Sequence, residues 1–301
     1  MEIDETLLEE IDNELRKDDI AHRARPWRAI AAISKKMGVS IVIPSEEASY
    51  IFKWFEKNGK PGSQQLGHYH QGAFYFDSEF WSVSIPLVYG EVTLNSLDAL
   101  HKMPDRIKSI LKSDSQELCK YVVFWADCID FGYAYGDLIQ SKSHGVFGIQ
   151  LLHAGYEELS SATSLLLEKR PNGRAILNCR MATEMLLKSF IYLKQGLSES
   201  EAKRLGHDLK ALLNRFIECS GYANLKVLEP LLKIFPEIGA RYSEQTSESA
   251  QLFEAYCFAQ SIGALLARAF TDRNTLPQVL PSNKSNNSAP SAPDAASRAG
   301  F

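Results

Sequence analysis

The chain has no CxxC pair. Its five cysteines, Cys119, Cys128, Cys179, Cys219 and Cys257, are an odd number and widely scattered. That spacing argues against a disulfide framework and against a zinc knuckle or ribbon. Cys179 and Cys257 lie among apolar residues in helical patterns, where a buried free thiol is expected. No stretch reaches the roughly 18 uninterrupted apolar residues of a membrane span. The N-terminus alternates acids and leucines and lacks the basic-then-apolar order of a signal peptide. The expectation is a cytoplasmic protein with no membrane partner.

Catalytic signatures are missing too. There is no GxxxxGK loop, GxGxxG, HExxH, GxSxG or set of kinase loops. A P-loop NTPase, a Rossmann dehydrogenase, a zincin and an α/β-hydrolase are thereby disfavoured. A broad basic face is also lacking, because residues 144–280 hold 15 bases and 14 acids. Any contact with RNA or a nucleotide would rest on a few arginines rather than on a duplex-sized electrostatic footprint.

What remains is an ordinary globular composition. The chain has 301 residues, 45% hydrophobic and 23% charged, enough for one large or two ordinary domains. The net charge of −4 is uneven, since residues 1–20 carry nine acids and two bases.

Residues 5–17 predict a short acidic amphipathic helix with Leu7, Leu8, Ile11 and Leu15 on one side. Arg23, Arg25 and Arg28 follow, either to neutralise that helix or to grip phosphate through paired guanidinium donors. The first is favoured. Pro26 suits the first turn of a helix over about 27–37 that Gly38 stops. VSIVIP (39–44) predicts a buried strand, and Ser45 caps a helix over 46–57. Residues 59–72 have loop composition. Within them His68 and His70 are the best metal candidate, but they have no third ligand at diagnostic spacing, so no metal is expected. Residues 73–95 predict antiparallel strands, turning near Asp77-Ser78 and Tyr89-Gly90, with Pro86 confined to an edge or a break. Residues 105–112 predict a short helix. Residues 116–140 are open between strand and helix, with helix favoured and Asp127, Asp130 and Asp137 on the polar face.

From 144 the period becomes uniformly helical. Ile149, Leu152, Tyr156, Leu159, Thr163 and Leu166 form one seam, and Ala175, Cys179, Ala182, Leu186, Phe190 and Leu193 form the next. Further helices are expected over about 207–218, 224–239 and 247–270, with a capping box at Ser198 and Glu201. Short connections imply antiparallel neighbours. The fold class is therefore α+β. The expected parts are an acidic N-terminal helix (1–20), an α+β module (21–143), an all-α antiparallel bundle (144–272) and a disordered tail (273–301) rich in Ser, Asn, Pro and Ala.

One polar run stands out. Arg180, Glu184 and Lys188 step by four and share a helix side, as an exposed ion-pair ladder, or else Glu184 and Lys188 join Arg241 in a partly buried polar network. Arg204, Gly206, His207, Asp208 and Leu209 follow, and Arg241-Tyr242 precede the last helix.

These residues resemble the HEPN superfamily over about 144–271. Ala182, Glu184, Leu186, Leu187, Lys188 and Phe190, as AxExLLKxF, look like that family's second helix. Gly206, His207, Asp208 and Leu209 look like the start of its third, and Arg241-Tyr242 like its Arg-Tyr pair. The resemblance implies nucleotide or RNA binding, or a protein-interaction role, in a homodimer without metal or cofactor. It also implies a role in stress or in defence against mobile elements. Many members are metal-independent endoribonucleases with an Arg and a His separated by roughly four to six residues. There the His moves protons and the Arg stabilises developing charge. Here Arg204 and His207 have only two residues between them. The expectation is a catalytically degenerate bundle, with Arg241, Lys188, Glu184 and Tyr242 as nucleotide or phosphate ligands. The alternatives are an active ribonuclease using His207 with Arg204 or Arg241, and a non-enzymatic scaffold. His207 is read either as a proton shuttle or base contact, or as a structural residue at a helix start.

Overall fold

The computed structural model describes residues 3–59, 68–89, 92–141, 144–221, 223–237, 239 and 247–280. In chain order the elements begin with α1 (Glu5–Lys17), α2 (Arg25–Met37), β1 (Ile41–Ile43) and α3 (Glu46–Lys57). Three strands follow, β2 (His70–Phe76), β3 (Glu79–Ile85) and β4 (Leu87–Tyr89). The helices α4 (Asp105–Ser113), α5 (Ser115–Gln140), α6 (Val146–Leu166), α7 (Ala175–Gln195) and α8 (Glu199–Lys203) come next. The described chain ends with α9 (Leu209–Ser220), a 3-10 segment (Ala223–Ile234), α10 (Ser249–Phe270) and α11 (Leu276–Val279). Among the described residues no helix is long and apolar enough to cross a membrane.

The chain divides into two compact units, one of residues 1–70 with 84–99 and one of residues 71–83 with 100–301. The division therefore falls elsewhere than at the expected 20/21 and 143/144. The acidic helix packs on α2 and α3, and α5 packs along α10 over much of its length, so neither stands apart as the sequence pattern suggested. The start of the expected tail is structured, because α11 packs against α5 with Leu276 buried. The remainder of that tail, from 281, lies outside the described residues.

In the first unit α1 and α3 each begin on a capping side chain. Asp4 accepts from the Leu7 amide and Ser45 from the Ala48 amide. Gly38 closes α2 in the left-handed region at φ 66°, where a side chain would be strained. The apolar faces of α1, α2 and α3 meet around Leu8, Ile11, Ile30, Ile33, Ile51 and Phe55. β1 pairs antiparallel with β4, Val42 opposite Val88. Arg25 reaches back to Asp12 at 3.1 Å, so this arginine neutralises the acidic helix.

Pro86 breaks the extended run between β3 and β4, because it lacks the amide that a central ladder needs. β2 and β3 form a hairpin whose two turn residues, Asp77 and Ser78, have φ 54° and 64°. Two consecutive positive φ values match the primed turn that suits right-twisted strands. The expected turn at Tyr89-Gly90 is only partly covered, since Gly90 lies outside the described residues. His70 is not in a loop but buried in β2, and His68 Nε2 lies 3.3 Å from Ser84 Oγ.

Residues 115–140 are one helix, capped by Asp114, whose carboxylate accepts from the Gln116 and Glu117 amides. In the second unit α7 is the central element, packed against α6, α9 and α10, and it is buried on nearly every side. Gly148 and Gly155 bring α6 close to it, and Ser189 donates to the Gly148 carbonyl at 2.8 Å. Contacts between α6 and α7 run in opposite order, Gly148 near Leu193 and Gly155 near Leu186, so this pair is antiparallel.

Tyr156 meets Phe131 and His153 meets Tyr135, and Thr163 meets Tyr256 while His144 meets Phe270, so α6 also runs against α5 and α10. Other pairs depart from the expected antiparallel arrangement. Phe124 meets Phe253 and Phe131 meets Gly263, so α5 and α10 run the same way. Arg180 meets His207 and Phe190 meets Phe216, so α9 advances with α7. The physical reason is that the return strokes are made by short pieces, α8 and the 3-10 segment, rather than by full helices. That segment replaces the α-helix expected over 224–239. Pro230 sits inside it and supplies no amide for an α-helical bond.

Candidate functional site

Steps of four residues place Arg180, Glu184 and Lys188 on one side of α7, and because α7 is central that side faces inward. The Glu184 side chain is fully buried, and Arg180 and Lys188 are buried as well. An exposed ladder is therefore excluded. One carboxylate oxygen of Glu184 accepts from Lys188 Nζ at 2.8 Å, and the other accepts from Arg180 Nη1 at 3.3 Å.

The fourth member comes from the loop between α8 and α9. Ser198 and Glu201 form the expected capping box at the start of α8. Gly206 adopts φ 71°, a turn favouring glycine, and Asp208 caps α9 by accepting from the Lys210 and Ala211 amides. His207 is held between these two fixed points. Its Nδ1 lies 2.7 Å from Glu184 Oε1, while Arg180 Nη2 donates to its backbone carbonyl at 3.1 Å. The imidazole side chain is 63% exposed.

Burial pushes the Glu184 carboxyl upward, but hydrogen bonds and charge from Lys188 and His207 outweigh it and hold the group below its ordinary value. Glu184 is therefore ionised near neutral pH. Two cations on one carboxylate leave one net positive charge, before any proton on His207. The arrangement can do two things. It fixes an imidazole edge toward solvent, as a carboxylate-oriented histidine does in proton transfer. It also places one net positive charge behind that imidazole.

Of the residues expected to form the site, the structure brings together Glu184, Lys188 and His207. Arg204 is not among them. It ends α8 on the surface and makes no side-chain hydrogen bond or ion pair among the described residues. The left-handed turn at Gly206 redirects the chain between it and His207. Arg241 and Tyr242 lie outside the described residues. The four-residue step marks Arg180 as a charge on this side of α7 but not as a partner of His207, because that bond spans 27 residues through a backbone carbonyl.

A second buried charge cluster has no counterpart among the sequence expectations. Asp127 and Asp130 belong to the supposed polar face of α5, yet both are buried against α10. Arg268 bridges them at 2.6 and 2.7 Å, and Ser261 and Thr275 complete their hydrogen bonds. Burial pushes the Asp127 carboxyl above its ordinary value in spite of Arg268. Among the described residues no three His, Cys, Asp or Glu side chains are grouped to hold a metal ion.

No family model matches the chain, and no curated protein or solved structure is significantly similar to it.

Proposed function

We propose that residues 144–272, within the second unit, form a HEPN-like bundle without the family's catalytic Arg-to-His spacing, and that Arg180, Lys188 and His207 around Glu184 bind a phosphate of RNA or of a nucleotide. The observation that carries this reading is the fixed, solvent-facing His207 above a cluster with one net positive charge. Arg and His donors beside a phosphate oxygen form charge-assisted hydrogen bonds, which are stronger than neutral ones.

Fluorescence anisotropy with a labelled single-stranded RNA, and competition by ATP and GTP, tests the proposal. Binding is expected to weaken with salt. It is also expected to fall about five- to tenfold in His207→Ala, with the variant still folded and its stability lowered by less than about 1 kcal/mol. Absence of binding to the RNA and to both nucleotides sinks the proposal and leaves a protein-interaction scaffold. Sedimentation equilibrium tests the homodimer that the family resemblance implies.

One observation favours a second reading, a metal-independent endoribonuclease. Glu184 orients His207 through Nδ1 and leaves Nε2 free for proton transfer, with Arg180 in the place proposed for Arg204. That reading requires RNA cleavage in EDTA that disappears in His207→Ala. Cleavage that persists in the variant removes it.

A further inference from the structure

A cavity of about 450 Å³ lies within the second unit, among the β2–β3 hairpin, α5, α10 and the 3-10 segment. That volume is in the range of small-molecule pockets. Its walls are aromatic. Phe253 stands edge-on to Phe74 at 5.3 Å and lies 6.0 Å from Phe124, and Tyr75 is 6.2 Å from Phe253. Phe253 and Tyr75 are only half-buried, so ring surface is left for a ligand.

The charge lining the cavity selects the ligand. Four carboxylates, Asp77, Glu117, Asp127 and Glu254, face two cations, Lys120 and Arg268, a net charge of −2. Both cations are engaged, Lys120 with Glu117 at 2.8 Å and Arg268 with Asp127 and Asp130. Glu254 takes part in no ion pair among the described residues and sits next to Phe253 on α10. An anion entering this space is repelled. A cation gains both the unpaired carboxylate and the negative faces of the rings.

We propose that this cavity binds a hydrophobic organic cation of the arylalkylamine class, its ammonium on Glu254 and its ring system against Phe124 and Phe253. The site shares no residue with the His207 cluster and takes a ligand of opposite charge, so the two proposals stand or fall separately.

Isothermal titration of the whole chain with three matched ligands tests it: 4-(4-biphenylyl)butylamine, the corresponding alcohol and the corresponding carboxylic acid. The amine is expected to bind tightest and the acid weakest. Glu254→Gln is expected to weaken the amine about fivefold while leaving the alcohol unchanged. Phe253→Leu is expected to weaken both amine and alcohol, and His207→Ala neither. Binding of none of the three, equal binding of all three, or an amine affinity unaffected by Glu254→Gln overturns the proposal.

Discussion

Glu184 and His207 are 23 residues apart in sequence and 2.7 Å apart in space, and they differ completely in exposure. The carboxylate is sealed inside the bundle, whereas the imidazole is mostly in water. The pair therefore joins an internal charge network to the surface.

That asymmetry predicts unequal consequences for stability. Glu184→Ala leaves Arg180 and Lys188 buried without their counter-charge and is expected to destabilise the fold by about 3–5 kcal/mol. His207→Ala removes a solvent-exposed partner and is expected to cost less than about 1 kcal/mol. Urea unfolding of both variants checks this. Equal losses would mean that the cluster is not organised around Glu184.

The two buried carboxyl centres predict opposite pH dependences. Glu184 is held below its ordinary value of 4.5 in the fold. It therefore contributes stability above that value, which is lost as pH falls through its lower folded value. Burial raises Asp127 above its ordinary value of 3.8. It therefore contributes stability below 3.8 that fades as pH rises through its folded value. Unfolding free energies should be compared from acid to neutral pH for the parent, Glu184→Gln and Asp127→Asn. The parent's advantage over Glu184→Gln is expected to grow with pH, and that over Asp127→Asn to shrink. The same trend in both would refute the assignment.

Close helix packing predicts a graded glycine series. A Cβ on Gly155 would lie 2.9 Å from Leu186 Cγ, and one on Gly263 would lie 2.8 Å from the Phe131 ring. Leu186 and Phe131 are both fully buried. Overpacking of this kind costs about 1–3 kcal/mol, offset by the gain of about 1 kcal/mol from alanine's helix propensity. A net loss is expected at both positions. At Gly148 the clash falls on Leu193 and Tyr192, which are half-buried and so less confined than Leu186 and Phe131. Gly148→Ala is therefore expected to be the mildest of the three. A melting-temperature series checks the order.

Much of the secondary structure is legible in the sequence because its signals are local. Ser45 at the start of α3, Gly38 at the end of α2 and the Ser198–Glu201 box act within one turn and do so here as expected. Asp77-Ser78 marks the hairpin for the same reason. The step of four from Arg180 to Lys188 places three charges on one helix side by helical geometry alone. That step leaves open which way the side faces. The polar side of α5 shows the limit most clearly, since Asp127 and Asp130 read as solvated and are buried. Their partner, Arg268, lies 138 residues from Asp130 and 141 from Asp127, beyond any local pattern.

By itself the sequence determined an α+β chain with a helix-rich second half, the caps and turns that bound its elements, and a charged triad on one side of α7. Those follow from periodicity and from hydrogen bonds within a few residues. The tertiary structure alone decided that α7 is central, that α5, α7, α9 and α10 run together, and that Glu184 meets His207 while Arg204 does not. Burial and long-range pairing depend on which helices pack against each other, and many amphipathic arrangements satisfy the same period. Only the packed chain selects one.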